Sequence, residues 1–152
     1  MKTRLALAAF STILCFGSQA AAQSWSPAQS EVWQFVADSW DAHAAAQTWS
    51  EVLDPAGYGW NGSYPVPIDR TRMAQRIRAV GPENTHLYHR VDPVAITVNG
   101  DTAMAYYFAA VVEKDAQGAR VNLTERCADT LIKRGGNWRY LGWHCQISSD
   151  DD

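Results

Sequence analysis

The stretch CADTLIKRGGNWRYLGWHCQI, residues 127–147, decides the fold. Two apolar-alternating arms flank Gly135-Gly136-Asn137, the composition of a tight antiparallel hairpin. A three-residue loop at these positions sets Arg134 opposite Trp138, and counting back seven on each arm sets Cys127 opposite Cys145. Residues directly opposed at a non-hydrogen-bonded position lie close enough for a disulfide. The competing readings are two buried free thiols, or a two-residue loop, which would oppose Cys127 to His144 instead. In the three-residue register Leu131, Asp129 and Cys127 share a face with Leu141, Trp143 and Cys145. Asp129 then sits across from Trp143, where desolvation would keep its carboxyl protonated and able to donate a hydrogen bond to a ligand. The plainer alternative is an edge carboxylate that meets an arginine or caps a loop. By the same parity Trp138, Tyr140 and His144 fall on the outer face.

Working outward, Val91 to Val98 turns at Asn99-Gly100, a strong hairpin signal, and returns from Thr102 to Lys114. Asp115 to Gly118 make a looser turn into Arg120 to Lys133, which pairs with Trp138 to Ile147. On the strand from Thr102, Met104, Tyr106 and Phe108 point one way and Ala105, Tyr107 and Ala109 the other. Both faces are apolar, so both should be covered, one by helices and one by a second subunit. Met104, Tyr106 and Phe108 are assigned to the pocket wall. Tyr107, Trp138, Tyr140 and His144 are assigned to a dimer interface. Upstream, Ser26, Pro27 and Gln29 open a helix with a capping box, and Val32, Trp33, Val36 and Trp40 form its buried stripe. Trp49 to Leu53 suggests a short second helix, and Asp69 caps a third, with Met73 and Ile77 on one face, stopped at Gly81-Pro82. Three helices before a meander of about four main strands read as an α+β domain, a curved antiparallel sheet closed into a cone around a central pocket. Tyr58, Trp60 and Tyr64, among glycines, form an aromatic loop at the cone mouth. They either close over an apolar ligand or plug the cone, and with seven tryptophans in the chain the second reading has weight.

The N-terminus bounds the setting. Lys2 and Arg4 precede an apolar run from Leu5 to Gly17, and Ala20-Ala21-Ala22 offers a cleavage site before Gln23. Residues 1–22 read as a removed secretory signal, 23–147 as one domain, and 148–152 as an acidic disordered tail. The run is shorter than the ~20 residues a membrane span needs, so no membrane association is expected after cleavage. The expected location is periplasmic or secreted, which permits oxidation of cysteines. Losing Lys2 and Arg4 takes the net charge from −3 to −5, which disfavours nucleic acid as a partner. Arg70, Arg72, Arg76 and Arg78 spread around a helix as a solvated face.

With these residues placed, the chain resembles the nuclear transport factor 2-like superfamily, and within it the SnoaL-like proteins. The resemblance rests on the helix with Val32, Trp33 and Trp40, the Trp60 to Ile68 loop, the Asn99-Gly100-Asp101-Thr102-Ala103 hairpin, and Arg134-Gly135-Gly136-Asn137-Trp138 leading to His144. Their order is specific for the fold and not for an activity. Set against ketosteroid isomerase, Asp129 falls at the position of a protonated oxyanion-hole aspartate, and Met104, Tyr106 and Phe108 on the apolar wall. The base position holds Asn61, an amide that takes no proton at neutral pH, and the oxyanion tyrosine of the first helix becomes Ser39 or Trp40. The resemblance therefore implies that steroid isomerisation by that mechanism is not retained. Set against the association domain of calmodulin-dependent kinase, a pocket arginine aligns with Asp129, so that anion pocket is not inherited either.

His86 and His89, three apart, would pair on a helix; on an extended segment they fall on opposite faces, so no metal site is expected. No nucleophile elbow is present. The sequence thus leads to an exported domain that binds a small, mostly apolar molecule, with Trp60, Asn61, Met104, Tyr106, Phe108 and Trp143 around it. Asp129 is the candidate acid or hydrogen-bond donor for lyase or isomerase-type chemistry without a cofactor. The alternative is a non-catalytic interaction module that forms a homodimer through its outer sheet face.

Overall fold

In the computed structural model, residues 24–61, 64–80 and 84–148 are described; the proposed signal, Gly62, the Gly81-Pro82 stop and residues 149–152 of the expected tail lie outside them, while Ser148, read as the start of that tail, is the last residue of a strand paired with Thr124. Helix α1 spans Pro27–His43 and starts as its sequence dictates. The Ser26 hydroxyl accepts from the Gln29 backbone N–H, and the Gln29 side chain accepts from the Ser26 N–H at 2.9 Å. A single 3₁₀ turn follows at Trp49–Glu51, then strands β1 (Leu53–Asn61) and β2 (Ile68–Asp69), helix α2 (Arg70–Val80), and β3 (Thr85–Asn99), β4 (Thr102–Lys114), β5 (Arg120–Arg134) and β6 (Asn137–Ser148). The six strands form one sheet in the order β2-β1-β6-β5-β4-β3. Helices on one face of a curved sheet make the α+β cone, with two more strands than the meander alone supplies.

The two added strands correct the sequence reading. The segment read as a second helix running into a turn-rich stretch is one 3₁₀ turn followed by β1, which runs parallel to β6. Parallel partners carry no hairpin turn between them, so no local signal announces them. The glycines of β1 serve close approach. A Cβ on Gly59 would lie 2.4 Å from the Trp143 indole, and one on Gly57 would lie 2.7 Å from the Tyr140 carbonyl oxygen.

The β5–β6 hairpin reaches its expected pairing by another route. Arg134 pairs with Asn137, so the loop is the two residues Gly135-Gly136, with φ of 57° and 85° as a primed turn requires. A bulge then inserts Leu141 between the Leu131–Tyr140 and Thr130–Gly142 pairs. The inserted residue restores the register, so Asp129 faces Trp143 and Cys127 faces Cys145, and the disulfide joins them. The bulge also switches β6 from one face to the other. Trp138 and Tyr140 before it and Trp143 after it all reach the inner side, which overturns the outer assignment of Trp138 and Tyr140; His144 remains exposed.

The face assignment of β4 is likewise reversed. Ala103, Ala105, Tyr107, Ala109 and Val111 are buried, while Met104, Tyr106 and Phe108 are 38 %, 42 % and 45 % exposed. The reason is volume. Alanines on the inner face leave room for the α1 aromatics, and Trp33 and Trp40 pack against Tyr107 with ring centroids 5.9 and 6.4 Å away. Met104, Tyr106 and Phe108 are therefore not pocket residues, and Tyr107 is not an outer-face residue.

Candidate functional site

The cone encloses a cavity of about 280 Å³ between the inner sheet face and the helices. Its apolar wall comes from Leu53 of β1, Met73 and Ile77 of α2, Trp49, Tyr64, and Trp143 of β6. Tyr64 packs edge-on to Trp143 at 5.9 Å and lies under the Arg76 guanidinium at 5.3 Å. Trp60 projects outward instead, 41 % exposed, with its ring 6.1 Å from that of His144. Alternation along β1 explains this: Gly57 and Gly59 face the packed side, so Tyr58 and Trp60 face away. Asn61 ends β1 opposite Cys145; the role expected of its side chain falls outside the described residues.

Asp129 is the most deeply buried carboxyl among the described residues, 1 % exposed on the cavity wall. The Trp40 indole N–H donates to Tyr107 Oη at 3.1 Å, and the Tyr107 hydroxyl donates to Asp129 Oδ2 at 2.8 Å. The tryptophan of α1 thus anchors a chain of donors that ends on the carboxyl. Ser39, the other residue considered at that helix position, donates its hydroxyl to the Phe35 carbonyl instead. Asp129 Oδ1 makes no hydrogen bond to any described residue. Burial pushes the Asp129 carboxyl up to about 7, opposed by the Tyr107 hydrogen bond. The Tyr107 and Tyr140 hydroxyls are also pushed well above the usual phenol range by burial and by the nearby Asp129. Trp143 Nε1 and Tyr140 Oη, like Asp129 Oδ1, are buried without a hydrogen bond of good geometry, although the Ser39 hydroxyl lies near Tyr140. Three such atoms around one cavity are exceptional, because buried polar groups are nearly always paired.

The sequence reading set Asp129 opposite Trp143, as the strands pair them, but it placed Tyr107 and Tyr140 on the outer face and did not link Trp40 to Asp129. Trp40 was legible as a member of the buried helical stripe. The tyrosines were not, because both faces of β4 are apolar and the β6 bulge has no signature.

Part of the lining is polar, with Asn84, His86, Glu113 and Glu125. Asn84 Nδ2 donates to Glu113 Oε2 at 2.7 Å. Burial, then the neighbouring Glu113, raises the Glu125 carboxyl above its ordinary value. The expectation that His86 and His89 lie on opposite faces fails. A bulge between His86 and Tyr88 brings the two rings together, with His86 Nε2 3.0 Å from His89 Nδ1 and His89 Nε2 3.0 Å from Asp41 Oδ1 of α1. Among the described residues one trio, Glu125, Cys127 and Cys145, gathers three potential metal ligands. Its two sulfurs are bonded to each other, which leaves no thiolate to coordinate.

A family model described as SnoaL-like domain matches residues 31–144. Among solved structures, a ketosteroid isomerase-like protein from Erwinia carotovora atroseptica superposes with a TM-score of 0.69 at 11% identity, covering 82% of this chain and 99% of that one. The S. rosetta CaMKII hub gives 0.65 at 16% identity over 83% of this chain and 100% of that one. A conserved protein from Planctomyces limnophilus gives 0.63 at 11% identity over 80% and 97%. At these identities the likeness is one of fold. No curated protein matches the sequence.

Proposed function

The chain belongs to the SnoaL-like domain family, and from that premise we propose that it binds a small, mostly apolar molecule in its cavity, with Asp129 as the polar anchor. The observation that carries this reading is Asp129 Oδ1, buried on the cavity wall with no hydrogen bond to any described residue while Oδ2 is held by Tyr107. A neutral carboxyl fixed in this way offers its proton to a carbonyl or oxyanion, and the aromatic and aliphatic wall takes the rest of the ligand. With its carboxyl at about 7, Asp129 changes protonation state near neutrality, which suits acid–base chemistry of the lyase or isomerase kind without a cofactor. We further propose that residues 1–22 direct export to the periplasm or outside the cell; a disulfide between Cys127 and Cys145 is in keeping with that setting.

The test uses a simple aromatic ketone, acetophenone, as probe, with the dissociation constant measured across pH. Donation by neutral Asp129 requires an affinity that is constant below about pH 6 and weakens up to about tenfold per unit above pH 7, with a flat profile in Asp129→Asn. The same pH dependence in the mutant would remove Asp129 from the binding role.

A second reading rests on the outer sheet face, where Met104, Tyr106 and Phe108 form an exposed apolar row on β4. A second copy of the chain would cover it in a self-complementary contact. This dimer is compatible with the pocket and uses none of its residues.

A further inference from the structure

At His86 the cavity lining meets a chain of three side chains, two of which, His86 and His89, sequence spacing alone set on opposite faces. Asp41, 76 % exposed on α1, contacts His89 Nε2, and His89 Nδ1 contacts His86 Nε2, both at 3.0 Å. A carboxylate accepts and does not donate, so the proton of His89 sits on Nε2, directed at Asp41. His89 Nδ1 is then a lone pair, and the proton shared between the rings belongs to His86 Nε2. That fixes His86 as the tautomer with a bare Nδ1. His86 lines the cavity, and its Nδ1 makes no hydrogen bond to any described residue. We propose that His86 Nδ1 is a proton-accepting atom of this cavity, held in its tautomer by His89 and Asp41, for a ligand that carries a weakly acidic hydroxyl such as a phenol or enol.

The proposal rests on the pocket reading above for its ligand, and on the hydrogen-bond chain alone for the tautomer. When the ligand O–H bond breaks, its proton goes to His86 Nδ1 and the electron pair stays on the ligand oxygen as a phenolate or enolate. His86 Nε2 can pass its own proton to His89 Nδ1, and His89 Nε2 can pass one to Asp41, which stands in water. One proton thereby leaves the ligand and one reaches the solvent. His86 is the candidate acceptor, and His89 and Asp41 are positioning residues. The charged and titratable groups around His86 are His89 on its own strand, Asp41 from α1, Glu113 from β4, Glu125 from β5 and Arg76 from α2. Burial and then His89 lower the affinity of His86 for a second proton, against a smaller opposite effect of Glu113; the ring therefore keeps its lone pair at neutral pH. An acceptor here also supplies what Asn61, at the end of β1, cannot.

Histidine-selective ¹⁵N NMR on the ligand-free protein at pH 8 tests the tautomer. Both rings should carry their proton on Nε2, and in Asp41→Ala the His89 preference should fall by about tenfold, the worth of a hydrogen bond to a charged group, with His86 following it. A proton on His86 Nδ1 in the native protein, or tautomers unchanged in Asp41→Ala, overturns the relay. 4-Nitrophenol then tests the acceptor, because its absorbance distinguishes phenol from phenolate. The bound probe should be more ionised than the free probe at the same pH in the native protein, and His86→Gln should lose that difference. A bound probe equally ionised in both proteins overturns the acceptor role while sparing the cavity. Failure of the probe to bind at all, with the tautomers as stated, contradicts the pocket reading and removes the ligand from this inference.

Discussion

A carboxyl buried as Asp129 is buried links the site to the stability of the fold. Its value rises from 3.8 to about 7 on folding, so the folded state binds the proton more tightly than the unfolded state. The contribution is fully present below about pH 4 and is lost as pH rises through about 7, a change on the order of 4 kcal/mol for a shift of this size. Asp129→Asn removes the titration and keeps an acceptor for Tyr107. Urea melts should show the stability of the mutant minus that of the native protein rising from pH 5 to pH 8; a difference that is constant or falls would contradict the buried-acid account. Gly59→Ala makes a second prediction at this scale. The new methyl would meet the Trp143 ring, so the indole must move off the cavity wall, at about 1–3 kcal/mol of stability and with weaker ligand binding, measurable in the same melts and by titration. Asp129 itself was legible, because strand parity set a lone acid opposite Trp143. Its partner Tyr107 was not, since Tyr106 and Tyr107 are neighbours of equal hydrophobicity and only the bulk of Trp33 and Trp40 above the alanines decides which one turns inward.

Among the elements, the β5–β6 hairpin shows how a correct pairing can hide an incorrect path. Counting from a three-residue loop and counting from a two-residue loop plus the Leu141 bulge both oppose Cys127 to Cys145. The two differ between the loop and the bulge: Trp138 and Tyr140 move from the solvent side to the core, and Tyr140 takes the place opposite Leu131 that the sequence reading gave to Leu141. Glycines announce a turn, whereas an inserted residue of ordinary type announces nothing, so the hairpin was legible and its change of face was not. Helix α1 was legible for the opposite reason: cap, proline and apolar stripe all point one way. Strand β1 lay hidden because its partner is distant in sequence and parallel. The disulfide closes an 18-residue separation, for which the chain-entropy model gives about 3 kcal/mol. The paired substitution Cys127→Ala with Cys145→Ala should lower the melting temperature by about 10 °C, and reductant should do the same to the native protein and nothing to the mutant. A mutant as stable as the native protein would show that the hairpin stands without its bridge.

Taken as a whole, the molecule turns one sheet face to its helices and cavity and the other outward with Met104, Tyr106 and Phe108 uncovered. If this face joins two copies, mass measured by light scattering should rise with concentration toward a dimer, and Phe108→Asp should hold the protein monomeric without altering cavity ligands. A native protein that stays monomeric at all concentrations would contradict the dimer and leave the pocket untouched. The α+β cone was legible from hairpins and helix signals. The identity of its occupant was not, because the fold is shared by proteins at 11% identity and the cavity chemistry depends on bulges that no local pattern marks. The most direct test of the central claim is a thermal-shift screen of small carbonyl, phenolic, terpenoid and carboxylate compounds against the native protein and Asp129→Asn in parallel. The account predicts a compound that raises the native melting temperature and has little effect on the mutant. Equal shifts in both proteins, or none across the panel, would contradict a pocket anchored by Asp129.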